Sequence, residues 1–468
     1  MRTPHTLRAT AIAAALLTAA LGASAQTTST ESSSVPPMAQ SQLDMATAAA
    51  KKALDGLGIQ LWGYMRGGAY YAKDDLAKGH YGLGELGYNR LGNEGDQYFE
   101  FGIGKKWDLS GAKAGVYWMP YAYRNSSHQN WEGDGTKQIY ADVTGLAFAP
   151  ELSFWAGQRY HRIQDVHIID DWLMEDGDNY GAGVDGIKLG AVGSLNVAVY
   201  TEGNTDNSKS SSNGKRLNLQ WRKIPLGPDG TLDLTAGIIR GNFADKKTSL
   251  ALGALYNQKI GVLTNSLFVQ GSNGHANLSG KFYALNGTTT TTTTTGSPFI
   301  CTVPVDAAGN CPIASVAPNP NQGTTTTTAT TFNPGAKQFR VVDAINWQSG
   351  PFGGQALIGY QTKKADADPT TEKNFAIGGR LSYGVARNIK VYADANYATL
   401  KPADGSETQR LNKQTIAVAL APNTDFWTRP EVRLYLTRVG GNDPVKAAQF
   451  NGKSSAILAG VQVEAWWE

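Results

Sequence analysis

Lys390-Val391-Tyr392-Ala393-Asp394-Ala395-Asn396-Tyr397-Ala398-Thr399 changes character at almost every step. In an extended chain, successive side chains point to opposite faces. Val391, Ala393, Ala395 and Tyr397 then share one face, and Tyr392, Asp394 and Asn396 the other. A helix would scatter both sets around its circumference. The stretch reads as a strand with one apolar and one polar face. The pattern recurs in Glu431-Val432-Arg433-Leu434-Tyr435-Leu436, in Gln462-Val463-Glu464-Ala465-Trp466, in Leu217-Asn218-Leu219-Gln220-Trp221 and in Leu232-Asp233-Leu234. Turn signals separate the runs at Ser110-Gly111, at residues 204–214 and at Gly227-Pro228-Asp229-Gly230.

Two architectures bury such strands. A sandwich turns the apolar face inward, and a membrane barrel turns it outward to lipid. The polar face decides between them. It carries Arg, Asp, Glu and aromatic rings together, as the wall of a water-filled lumen requires. The other face carries Val, Ala and Leu, with Phe99 and Phe101. The expected fold is an all-β transmembrane antiparallel barrel. Composition agrees: charged residues are 17% of the chain and there are 54 glycines, so turns are many and charges few. A net charge of +3 leaves no electrostatic footprint for nucleic acid.

The ends and one insertion stand apart. Arg2 and Arg8 flank the apolar run 9–21, and Ala23-Ser24-Ala25 offers small residues before Gln26. Residues 1–25 read as an export signal, too short in its apolar part to span a bilayer. Residues 26–57 read as a periplasmic extension with a short helix, since Leu43, Ala46, Ala50, Leu54 and Leu57 fall at helical spacing. The barrel is expected over 58–468. Within it, residues 286–336 hold two Thr runs around Cys301 and Cys311 and read as an extracellular loop. In an oxidising compartment the two cysteines are expected to pair; two free thiols are the alternative.

Motifs for chemistry are weak. Gly82-Leu83-Gly84-Glu85-Leu86-Gly87 matches a dinucleotide fingerprint by letter, but Tyr88-Asn89-Arg90-Leu91-Gly92 follows where a helix is needed. His161, Asp165, His167, Asp170 and Asp171 invite a metal reading, at looser spacing than metal sites use. The same carboxylates invite a glycosidase reading, which needs one acid raised in an apolar pocket. A polar loop lining a channel accounts for all of them. No cofactor and no metal are expected.

Rings on the polar face carry more weight. Tyr64 shares parity with Arg66, and Tyr98 with Asp96 and Glu100. Trp427 shares parity with Arg429, Glu431 and Arg433, and Trp466 with Gln462 and Glu464. Trp467 and Tyr397, on the apolar parity, fit an interfacial belt. A ring on a wet wall beside charges suits a sugar. The C–H face of a pyranose lies on the ring, and neighbouring groups bond its hydroxyls. Each stack is worth on the order of 1 kcal/mol, by analogy with other ring contacts.

Arg90-Leu91-Gly92-Asn93-Glu94, Trp155-Ala156-Gly157-Gln158-Arg159, Asp165-Val166-His167-Ile168-Ile169-Asp170, Gly181-Ala182-Gly183, Trp427-Thr428-Arg429-Pro430 and Trp466-Trp467 are similar to signatures of the maltoporin (LamB-type sugar porin) family. The resemblance runs in order over about residues 60–468. It implies about 18 strands, a homotrimer in a Gram-negative outer membrane, and passive diffusion of maltose and maltodextrins. Carried over by position, it implies an aromatic slide of Tyr64, Tyr98, Trp427 and Trp466, with Trp131 lent to a neighbouring subunit. It implies a polar track including Arg66, Arg90 and Glu100. It implies a constriction at Asp165, His167, Asp170 and Trp172, on a loop folded into the pore. The chain departs from the family pattern in five places, one being Glu468 at its end, where barrels of this kind usually carry an aromatic. Trp172 replaces a Tyr, and Ile163 replaces an Arg with Arg162 beside it. An Arg near Ile139-Tyr140 is missing, and Thr264 stands where a slide Phe belongs. The expected partners are an oligosaccharide and outer-membrane lipid. A porin for another oligosaccharide, for a sucrose-type sugar, or of weak selectivity is the alternative. An outer-membrane hydrolase and a surface receptor using the Thr-rich loop are further ones.

Overall fold

A computed structural model describes residues 49, 52–73, 76, 80–124, 133–202, 214–240, 248–278, 284–285, 287–295, 299–301, 316–318, 324–332, 336–365 and 368–467. Eighteen strands form one sheet. The first six are β1 (Ile59–Ala72), β2 (Gln97–Leu109), β3 (Ala112–Arg124), β4 (Gly133–Leu146), β5 (Ala149–Arg162) and β6 (Glu175–Lys188). Next come β7 (Ser194–Glu202), β8 (Gly214–Pro225), β9 (Gly230–Arg240), β10 (Ser249–Ile260), β11 (Leu263–Asn273) and β12 (Lys337–Ser349). The last are β13 (Phe352–Lys364), β14 (Glu372–Ala386), β15 (Ile389–Lys401), β16 (Gln409–Leu420), β17 (Glu431–Gly441) and β18 (Ser455–Trp467). Each pairs antiparallel with the next, and β1 also pairs with β18 from Gly63↔Trp467 to Ala72↔Leu458. That ladder closes the barrel, so the sheet has no free edge.

The expected parity holds, with burial inverted relative to a water-soluble protein. Lys390, Tyr392, Asp394 and Asn396 are buried, while Val391 and Tyr397 are exposed. On β17, Arg433 is 1% exposed and its neighbour Leu434 is 61% exposed. A continuous apolar outer face of this kind belongs in lipid. Turns at one end are short: 110–111, 261–262, 350–351 and 387–388. The connections 73–96, 163–174 and 274–336 at the other end are long. Short turns mark the periplasmic side and long loops the extracellular side.

The apolar core lies inside the barrel. Two extracellular connections fold into the lumen and cover the inner wall of β10–β17. Connection 163–174 brings Val166, Ile168 and Leu173 onto Leu255, Phe268 and Val342. Its inward path agrees with the expectation. Connection 73–96 does the same with Leu83, Leu86 and Leu91, a packing that its sequence, without strand or helix periodicity, does not signal. The Gly82–Gly87 letters form a tight turn closed by a Leu83↔Gly87 bridge. Gly92 has φ +65, and a Cβ there would collide with Thr437, Thr415 and Tyr435. Buried donors on the wall finish the backbone of both segments. Lys413 Nζ donates to the Leu91 carbonyl at 2.8 Å, and Gln270 Nε2 to the Leu173 carbonyl at 2.6 Å. The segments meet where Arg90 N–H donates to the Ile168 carbonyl at 3.0 Å.

In the Thr-rich loop, residues 287–295 and 324–332 pair antiparallel from Gly287↔Phe332 to Thr295↔Thr324. Cys301 ends a short strand, and Cys311 lies outside the described residues. Residues 52–56 are helical, and the rest of the expected N-terminal helix is almost entirely outside the described residues.

Gly92→Val should therefore undock segment 80–96. We expect a loss of about 1–3 kcal/mol, the usual range for a strained backbone site. Planar-bilayer recording should show higher single-channel conductance, because a lumen filler is released.

Candidate functional site

The barrel's closing ladder assembles the rings. Tyr64 on β1 lies directly opposite Trp466 on β18, both facing the lumen. Tyr98 on β2 sits 6.1 Å from Tyr64 between ring centroids. Trp427 sits 6.5 Å from Trp466. The four form one row that climbs from the periplasmic end toward the extracellular mouth. Tyr121 on β3 extends it, stacked on Tyr98 at 6.3 Å; the sequence reading missed this ring, although its odd parity matches the buried Tyr117 and Met119. Trp427 is not on a strand. It belongs to the turn 421–430, because the ladder of β17 starts only at Glu431, after Pro430, which has no N–H to give. Its neighbour Phe426 is buried against Tyr392 and anchors that turn. Trp427 itself is 39% exposed. Trp131 lies outside the described residues.

Behind the rings is a buried ionic network. Glu464 accepts from Arg429 at 2.8 Å, pairs with Arg90 at 2.9 Å, and also meets Arg433 and the Tyr64 hydroxyl. Asp170 pairs with Arg66 at 2.6 Å and Arg90 at 3.3 Å. Arg66 also holds Asp96 at 2.7 Å, and Arg90 holds Glu94. Two arginines thus tie both lumen-filling segments to β1 and β18. Desolvation cancels much of the Coulomb gain of such pairs, so the network sets position more than it adds stability. Burial raises the Glu94 carboxyl, but the Arg90 and Arg66 guanidiniums outweigh it and hold the group below its ordinary value.

The remaining expected residues fall around this centre. Glu100 accepts from the Tyr98 hydroxyl at 2.7 Å. His167 stands beside Trp427 and Trp466, at 5.3 and 5.6 Å, with its Nδ1 3.3 Å from Asp165. His161 is elsewhere, on β5 with Asp185 at 3.3 Å, so the cluster in the sequence is split in space. Trp172 packs with Arg162, whose guanidinium lies 5.3 Å from that ring and 3.5 Å from Tyr160. Sequence parity set Arg162 apart from the constriction. The β5–β6 ladder shifts register between Arg159 and Tyr160, just before Arg162, and Ile163 packs into the core instead. Ile139 faces lipid at 46% exposure, while Arg159 stands over the Tyr140 ring at 5.2 Å. Thr264 faces the lumen opposite Asn346, and the next ring on that face, Phe268, is sealed under segment 163–174.

The LamB porin family model matches residues 59–467. Maltoporins from two Vibrio cholerae O1 strains, El Tor Inaba N16961 and Classical Ogawa 395, are each 27% identical over 446 residues. The match covers 90% of this chain and 98% and 97% of theirs. Among solved structures, OccAB2 of Acinetobacter baumannii overlays with TM-score 0.44 at 8% identity, covering 88% of this chain and 98% of that one.

The lowered Glu94 fixes the sign of an acid response. Its stabilising share is present above the ordinary carboxylate pKa and is lost as pH falls through the lower folded value. Limited proteolysis of segment 80–96 should show protection persisting to below about pH 4, under the ordinary Glu value. Release at or above that ordinary value would contradict the docking account.

Proposed function

This chain belongs to the LamB porin family, and from that premise we propose that it is a sugar-specific porin of the outer membrane, passing maltose and maltodextrins by facilitated diffusion. One observation carries the reading. Trp427 and Trp466 lie 6.5 Å apart and Tyr64 and Tyr98 6.1 Å apart on the lumen wall, and the ladder sets Tyr64 opposite Trp466 between the two pairs. Pyranose rings slide along the row by their C–H faces. Polar groups beside the row, at Glu100, Asp165, His167 and Asp170, exchange hydrogen bonds with the hydroxyls. Arg66 and Arg90 act chiefly by holding the carboxylates in place, since their own donors are engaged by Asp96, Asp170, Glu94 and Glu464. Weak sites in series favour flux, because one strong site would hold the solute. Trp172 and Arg162 form the constriction. No catalytic step and no cofactor enter this account.

The same reading assigns residues 1–25 as an export signal, 26–57 as a periplasmic extension, and Cys301–Cys311 as a staple in the extracellular loop. The working unit is a homotrimer in which Trp131 reaches a neighbour's mouth. A second reading, preference for another short oligosaccharide, rests on Thr264 where a slide ring would sit and on Trp172 at the constriction.

Sugar block of ion current tests the proposal. Trp427→Ala and Trp466→Ala should each weaken maltotriose block about fivefold, the equivalent of one ring contact of about 1 kcal/mol. Open conductance should stay nearly unchanged. Unaltered block in both variants sinks the slide. A panel of maltose, sucrose, cellobiose and glucose separates the two readings by which sugar blocks at the lowest concentration.

A further inference from the structure

The outer face of β6–β9 carries a feature that the lumen pathway does not use. Near the extracellular ends of these strands lies a groove of about 510 Å³, lined on the outside by Tyr180, Ala182, Val199, Leu217 and Ile238. Its rim is cationic. Lys215 on β8 and Arg240 on β9 also line it, and they are direct cross-strand partners. Both are exposed and both have outward parity, since Arg216 and Ile239 between them are buried.

Two like charges directly opposite on a sheet repel each other and cost stability. Among the described residues, neither is paired with a carboxylate. Asp233 of β9 is engaged by Arg222 and by the Lys223 N–H, at 2.9 and 2.7 Å, well down the strand. Tyr180, 60% exposed, marks the same level as the polar–apolar boundary on the extracellular side. Below the cations the groove is aliphatic and faces hydrocarbon. The arrangement pairs a double cation at headgroup height with an apolar channel beneath it.

We propose that this groove is a specific site for a phosphorylated lipid of the extracellular leaflet, its phosphate bridging Lys215 and Arg240 and one acyl chain lying on Ala182, Val199, Leu217 and Ile238. A bridging phosphate turns the repulsion between the two cations into attraction. The acyl chain fills a concavity that bulk lipid packs less well. The site lies on the opposite side of the wall from the ring row, so its occupation leaves the solute path untouched.

The test uses full-length protein in detergent, stripped of co-purified lipid. It is titrated with a bisphosphorylated multi-acyl glycolipid, with its dephosphorylated form, with phosphatidylethanolamine and with inorganic phosphate, and bound species are counted by native mass spectrometry. The phosphorylated glycolipid should bind tenfold or more tighter than the other two lipids, as two cations near a membrane surface allow at roughly fivefold each. Lys215→Gln with Arg240→Gln should abolish that preference. Ala182→Phe should weaken binding of both glycolipid forms by filling the groove. Sugar block should be the same in every variant, which reports an intact barrel. Equal binding of the phosphorylated lipid by wild type and the double variant overturns the proposal. So does competition by inorganic phosphate at the lipid's own concentration, which would make this a free-phosphate site.

Discussion

A sheet in hydrocarbon can leave no backbone N–H or C=O unpaired, and the β1–β18 ladder is where this chain meets that demand. Once the sheet closes, every strand has only one remaining freedom, which of its two faces points inward. The apolar outer face of Val432, Leu434 and Leu436 settles it, and with it the inward place of Glu431, Arg433 and Tyr435. The ladder also does local work, since it sets Tyr64 against Trp466. The ladder that closes the barrel is also what brings the two pairs of rings side by side.

An inward polar wall creates a second demand. A segment that folds into the lumen must satisfy the charges of that wall as well as occupy space. Segments 80–96 and 163–174 do both. Their leucines and isoleucines cluster with Leu255, Phe268 and Val342 on the wall of β10–β17. Their backbone carbonyls take hydrogen bonds from Lys413 and Gln270. Arg90, carried by the first segment, binds Asp170 of the second and Glu464 of the wall. The rings stand on the wall of β18, β1, β2 and β3, below the extracellular ends of β18 and β1 where Leu458 and Ala72 join the apolar filling.

Parity made the strands, their faces and the inward rings Tyr64, Tyr98 and Trp466 legible in the sequence, because a period of two survives in any antiparallel barrel. Three things escaped it. Trp427 sits in the turn before β17, so the parity that groups it with Arg429, Glu431 and Arg433 in the sequence does not set its place in the structure. Arg162 lies beside Trp172 and Tyr160 past a register shift of the β5–β6 ladder, a contact that alternation along one strand does not give. Segment 80–96 has no period at all. Its signal was the combination of buried-type leucines with glycines such as Gly84 and Gly92, which reads equally as a surface loop until the wall it packs against is known. Asp170, Arg66 and Arg90 are distant in sequence, so their mutual pairing was visible only as shared polarity.

The central claim is that a sugar travels on the row Trp427–Trp466–Tyr64–Tyr98. A structure of the protein soaked with saturating maltohexaose tests it most directly. The account predicts consecutive glucosyl units lying flat on those four rings, with hydroxyls directed toward Glu100, Asp165, His167 and Asp170. An ordered oligosaccharide on the β4–β8 wall, with these four rings uncovered, would contradict it.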